Sequence, residues 1–164
     1  MPNTSVFTGA DGSLALSTNG GKEGAVAKDI LKSYDTINVG RVQNVRVELH
    51  SEVHAFHELG QRYPTELRPG NVTIKGTIER AYINGAMLNL ILGEAKGGRP
   101  AGSWSQPAFN ITLMVQNPAQ PDQPSTIQLN DVKIEDWVFD MPEDDFVMES
   151  LSFQAGYMTG ADGK

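Results

Sequence analysis

Two long runs of period-two alternation, Val45 to Leu59 and Val72 to Tyr82, constrain this chain more than any other feature. In the first, Val45, Val47, Leu49, Val53, Ala55 and Leu59 share one parity, and Arg46, Glu48, His50, Glu52, His54 and Glu58 share the other. In the second, Val72, Ile74, Ile78 and Tyr82 form the apolar parity, opposite Thr73, Lys75, Thr77 and Glu79. Successive side chains of a strand point to opposite faces, so each run predicts a strand with one dry and one wet face. Val47, Leu49, Val53, Ile74 and Ile78 are thereby assigned to the core. Strands this long leave more sheet edge than one small domain hides, and an uncovered edge is a template for pairing with another chain.

At 164 residues the chain is expected to be a single domain that buries roughly two thirds of its unfolded surface. Its 39% hydrophobic and 20% charged content is that of a globular protein, which argues against wholesale disorder. The absence of cysteine excludes disulfides, thiolate metal sites and a thiol nucleophile. The opening residues carry neither a basic start nor an apolar run, and no stretch is long and apolar enough to span a bilayer, so no membrane partner is expected. A protein made and retained in the cytoplasm until released is the expectation.

Residues 1–35, rich in Gly, Ser, Asn and Thr, read as a flexible arm and not as a core element, with residues 36–164 as one β domain. The arm's Val6, Phe7, Leu14 and Leu16 are candidate contacts to another subunit, ordering on assembly. A first strand is expected over Thr36 to Gln43. Asn84 and Gly93 bracket AMLNLIL, which predicts one short helix with an N-cap and a C-terminal glycine. Phe109, Ile111, Leu113 and Val115 alternate in the next strand, and the prolines of NPAQPDQP enforce the turn that follows. Ile127 and Leu129 then lie on one parity, Val132 and Ile134 on the other, and Trp137 and Phe139 switch back, which predicts two bulges or bends. After the turn MPEDD, Val147, Leu151, Phe153, Ala155 and Tyr157 finish the sheet. The fold class is mainly β, with packed antiparallel sheets.

The formal net charge is −7, and it is concentrated: Asp131, Glu135, Asp136, Asp140, Glu143, Asp144, Asp145 and Glu149 face only Lys133. An acidic chain without a basic stripe does not grip nucleic acid, because Lys and Arg on phosphate supply most non-specific affinity. The acidic turn suits hard cations by ligand type but lacks regular ligand spacing, so a solvated hairpin tip is the reading adopted. His50, His54 and His57 would share a helical face and, with Glu52 and Glu58, suit a metal. On a strand His50 and His54 point one way and His57 the other, and fifteen residues of alternation favour the strand. A small metal-dependent enzyme or binding protein around His50 and His54 is therefore the rival reading. STNGGKEG departs from a phosphate loop at Leu16 and Glu23, and AGSWSQ lacks the second glycine of a nucleophile elbow around Ser103 or Ser105. No enzyme activity and no cofactor are expected. Arg62, in the corner after the Leu59-Gly60 break, is a candidate bridge to a neighbour's carboxylate.

ELGQRYP, GTIERAYINGAMLNLILG and LNDVKIEDWVFDMPEDD ahead of a last strand together resemble the tail tube proteins of contractile-tailed bacteriophages and related contractile injection systems. The resemblance covers about Thr36 to Tyr157. It implies two packed antiparallel sheets with one short helix, in hexameric rings that stack into a hollow tube. It further implies a sheath outside, tape-measure protein and DNA in the lumen, and baseplate or hub and tail terminator proteins at the ends. The protein would then sit in the virion tail after assembly in the host cytoplasm, or form the tube of a genome-free bacteriocin or type VI-like system. In such a ring Glu48, Glu52, Glu79 and Lys75, on the wet faces of the two long strands, are the candidate lumen-facing residues.

Overall fold

The computed structural model describes residues 6–18, 21–34, 41–99, 102 and 104–162. The elements are β1 (Gly12–Thr18), α1 (Lys22–Tyr34), β2 (Val42–Phe56), β3 (Glu66–Ala81), α2 (Ala86–Leu92), β4 (Phe109–Val115), β5 (Ser125–Asp140), β6 (Met148–Ala155) and β7 (Tyr157–Asp162), with 3₁₀ turns at Gly9–Asp11 and Gly93–Gly97. Every ladder is antiparallel, in the order β1-β4-β5-β6-β3-β2, with β7 also beside β5. The fold is mainly β, a curled half-barrel closed over one core. Of the strand expected over Thr36 to Gln43, residues 36–40 lie outside the described residues, and Val42 and Gln43 open β2.

β5 makes the curl. Its first half pairs with β4 and β7, its second half with β6, and the parity of its apolar residues changes where the register slips. Phe109 opposes Val132 while Ile111 opposes Leu129, so β5 spends three steps on two of β4, and Asp131 takes φ 55° there. Ile134 opposes Phe153 and Asp136 opposes Ser152, a second extra residue on β5. These are the two expected bulges, and each re-aims the side chains that follow. The expected single last strand is corrected: it breaks at Gly156 into β6 and β7, which follow the two halves of β5 around the same corner. Gly156 N–H donates to Asn130 O at 2.9 Å, and a Cβ at Gly156 would lie 3.1 Å from the Asp131 Cβ, so the corner is tight on both chains.

The largest departure from expectation is at the N-terminus. Residues 12–34 supply β1 and a second helix, α1, where an arm outside the core and a single short helix were expected. Leu14 and Leu16, candidate contacts to another subunit, are buried in the core instead, opposite Leu113 and Ile111 of β4. Ala27, Ile30 and Leu31 of α1 pack into the same cluster as Leu90, Phe109, Leu129 and Phe153. Burying Ile30 and Leu31 is worth roughly 1.5–3 kcal/mol each. The helix is pinned from outside by Lys133 Nζ on Glu23 Oε1 at 3.1 Å. α2 spans the expected seven residues; Asn84 Oδ1 accepts the Ala86 N–H at 3.1 Å, and Gly93 ends the helix at φ 56°.

Candidate functional site

The register of β2, β3, β6 and β5 arranges the polar residues of the two long runs into rows across one sheet face. Asn44, Glu79, Ser150 and Val138 form one row; Arg46, Thr77, Ser152 and Asp136 the next; Glu48, Lys75, Gln154 and Lys133 the third. All are exposed or half-buried, and Val138 is the one apolar member. The reverse face carries the rows Val45-Ile78-Leu151-Trp137 and Val47-Gly76-Phe153-Ile134, which belong to the core or pack against it. Gly76 is required there: a Cβ would stand 2.4 Å from Phe153 Cζ.

The candidate lumen residues Glu48, Glu52, Glu79 and Lys75 all lie exposed on this polar face, with Glu48 directly opposite Lys75. Arg46 ion-pairs with Glu48, Gln154 bonds Glu135, and Ser152 Oγ donates to Asp136 Oδ2 at 3.0 Å. The face is thus densely polar, its glutamates partly matched by Arg46 and Lys75.

The acidic segment does not act as one surface. Asp131 sits at the corner, Glu135 and Asp136 on the polar face, and Asp140, Glu143, Asp144 and Asp145 at the β5–β6 turn, all exposed. Glu149 is corrected: it is 1% exposed and ion-paired with Arg80, itself 2% exposed, across the β3–β6 ladder. Its second oxygen accepts the Trp137 Nε1–H at 2.9 Å, and Arg80 Nη2 donates to Asn84 Oδ1 at 3.5 Å. One satisfied buried pair therefore ties β3, β5, β6 and the start of α2, and removing either partner would strand a buried charge. Sequence reasoning missed it, although Arg80 and Glu149 each sit at an apolar-parity position of an alternating strand.

Beyond Ile74, where β6 ends at Ala155, β2 and β3 continue alone as a two-stranded ribbon joined by residues 57–65. Leu49 and Val53, expected in the core, are 50% and 61% exposed on it, and Val72, Leu67, Leu59 and Tyr63 are exposed as well. The core ends before the strands do. His50, His54 and His57 are all exposed, with Glu52 Oε2 3.6 Å from His54 Nε2, and among the described residues no group of three or more His, Asp or Glu is placed to hold a metal ion. Arg62 is exposed at the ribbon tip, Val6 is exposed and Phe7 half-buried. At the opposite end of the sheet Tyr82, Ile83 and Phe146, all exposed, line a cleft of about 480 Å³ together with Arg41, and Phe139 and Met141 are exposed as well. Tyr82 meets Phe139 edge-on at 5.0 Å, and Trp137 stacks on Phe139 at 5.5 Å.

A half-barrel of this topology is the fold of tube and tube-terminator proteins of contractile injection systems and phage tails. The chain is similar over 98% of its length to 94% of a chain in the anti-feeding prophage tube-terminating cap, with a TM-score of 0.67 at 9% identity. It is similar to a chain in the sheath-tube complex of an extracellular contractile injection system, PVC, in the extended state (TM-score 0.64, 8% identity, 96% and 93% covered). It is also similar to the SPP1 tail tube (TM-score 0.60, 12% identity, 97% and 80% covered). No protein-family model and no curated protein matches the chain.

Proposed function

We propose that this chain is the structural subunit of a tail-type tube, forming hexameric rings that stack into a hollow conduit, with no enzymatic role. The observation that carries the reading is the two-faced sheet: one face closes over the core, the other is polar from β2 to β5, and β1 and β2 each leave an edge unpaired among the described residues. Subunits that pair head to tail through such edges close into rings, and the polar face becomes the wall of a pore. Glu48, Glu52, Glu79 and Lys75 then line the lumen. Sixfold repetition makes rings of mixed charge with carboxylates in excess, which a polyanion within a Debye length of about 8 Å feels as repulsion and passes without adhering.

Sheath on the outer surface, tape-measure protein and DNA in the lumen, and baseplate or hub and terminator proteins at the ends are the partners this role implies, in a virion tail assembled in the host cytoplasm. The tube of a genome-free injection or secretion system is the second reading, favoured by the likeness to an extracellular injection system and compatible with a lumen that Arg46 and Lys75 partly neutralise. Negative-stain microscopy tests the role: rings or tubes far heavier than the 17.8 kDa chain are expected at high concentration. A monomer at every concentration, including with sheath or baseplate proteins added, contradicts it. Glu48→Lys, Glu52→Lys and Glu79→Lys together test the lumen. They are expected to leave the fold intact, since exposed charges contribute little to stability, and to make the tube retain DNA in a salt-dependent way. Equal DNA retention in both tubes would move these residues out of the lumen.

A further inference from the structure

Asn84 and Gly85 make the turn between β3 and α2, and the fold surrounds the Asn84 side-chain amide in a way that a tube wall does not require. Asn84 is half-buried, and its Oδ1 accepts two hydrogen bonds, from the Ala86 N–H at 3.1 Å and from Arg80 Nη2 at 3.5 Å. The first closes the small ring in which an asparagine folds onto its own backbone two residues on, which lays the side-chain carbonyl against the Asn84-Gly85 peptide. The second comes from a guanidinium that cannot turn away, because Arg80 is 2% exposed and its Nε is held by Glu149. Two groups beside them are left unengaged. Among the described residues the Gly85 N–H donates to no acceptor, and neither does Asn84 Nδ2. Gly85 also brings no Cβ to obstruct an approach to its nitrogen.

We propose that Asn84-Gly85 is a self-modification site, at which the native chain converts Asn84 to aspartate or isoaspartate without an enzyme. The Gly85 nitrogen loses its proton to hydroxide and attacks Asn84 Cγ, so that Oδ1 of the tetrahedral centre carries the negative charge. The Ala86 N–H and Arg80 Nη2 already point at that oxygen, the arrangement that lowers the barrier of an acyl transfer. Holding nucleophile and carbonyl in one turn supplies the proximity. Nδ2 then leaves as ammonia, taking a proton from water, and a five-membered imide remains. Water opens the imide at Cγ to give aspartate, or at the main-chain carbonyl of residue 84 to give isoaspartate, in which the main chain runs through Cγ. In total one water is consumed and one ammonia released, and nothing is oxidised or reduced. An aspartate carboxylate there meets Arg80 in a charge-assisted bond where a neutral acceptor stood before. Isoaspartate lengthens the main chain just ahead of α2, whose Ala86, Met87 and Leu90 are buried, and so irreversibly loosens the seat of that helix.

The test incubates the full chain in its native state, at neutral and at mildly alkaline pH, and unfolded in urea. Peptide mass mapping follows Asn84 apart from the chain's other Asn-Gly, Asn19-Gly20, which lies outside the described residues. Conversion is read as the mass gain of an amide becoming an acid, as ammonia released, and as isoaspartate detected by enzymatic methylation. The native chain is expected to convert Asn84, and faster at the higher pH, because the attacking nitrogen must lose a proton. Gly85→Ala, at a φ of −83° and ψ of 17° that alanine also adopts, is expected to slow conversion about tenfold or more, the change that about 1.4 kcal/mol of barrier produces. Arg80→Met with Glu149→Leu removes the guanidinium without stranding a charge, and is expected to slow it by a similar factor. Circular dichroism checks that each variant folds. Asn84 left intact in the native chain while the unfolded chain converts would overturn the proposal, whatever the variants do. Equal rates in wild type and the folded double variant would overturn the part given to Arg80.

Discussion

The N-terminal segment and the β2–β3 ribbon exchange the roles their sequences suggest. Residues 12–34 are polar and glycine-containing on average, yet Leu14, Leu16, Ala27, Ile30 and Leu31 are buried. The ribbon carries the cleanest apolar alternation in the chain, yet its Leu49, Val53, Leu67 and Val72 are at least half exposed. Average composition therefore misjudges a segment whose few apolar residues are correctly spaced. Alternation, for its part, says that a face is to be covered without saying by what. In the N-terminal segment the cover is within the chain; on the ribbon the described residues supply none.

That contrast can be tested by substitution, with the largest effect expected at the buried pair that ties β3, β5, β6 and the start of α2. Glu149→Leu alone should cost about 3–5 kcal/mol in chemical denaturation of the unassembled chain, because Arg80 is left charged and buried. Adding Arg80→Met should return most of the loss; an equal or larger loss in the double variant would mean that the pair's shape, and not its charge, holds the strands. Ile30→Ala should cost about 2–5 kcal/mol, as large-to-small changes in a packed core do. Unchanged stability would restore residues 1–35 to the status of an arm. The smallest effect on the unassembled chain is expected from Leu49→Ser with Val53→Ser: within about 0.5 kcal/mol, as for surface positions, but with assembly sharply reduced. A large destabilisation of the free chain would show that the ribbon packs on its own core.

Much of the fold was legible because local pattern and tertiary demand agree there. Both long strands, the seven residues of α2 and the two bulges of β5 follow from parity and turn chemistry. So does the single polar face that gathers Glu48, Lys75 and Glu79. α1 was missed because the glycines and lysines around it mask a short turn-spaced set, Ala27, Ile30 and Leu31. The break at Gly156 was missed because one glycine between two alternating runs looks like a continuous strand unless the bend of β5 beside it is known. Glu149 was counted with the surface acids because net charge ignores parity; its apolar-parity position, facing Arg80, was the available signal.

Amide hydrogen exchange on the same protein, unassembled and then in tubes, tests this division most directly, because protection reports local opening free energy. In the unassembled chain β1 and α1 should be protected along with β4 and β5, while the outer ribbon, residues 49–73, exchanges fast. In tubes the ribbon should gain protection and the N-terminal elements change little. A ribbon already protected in the unassembled chain, or unprotected in the tube, or N-terminal elements that become protected only on assembly, would contradict the account.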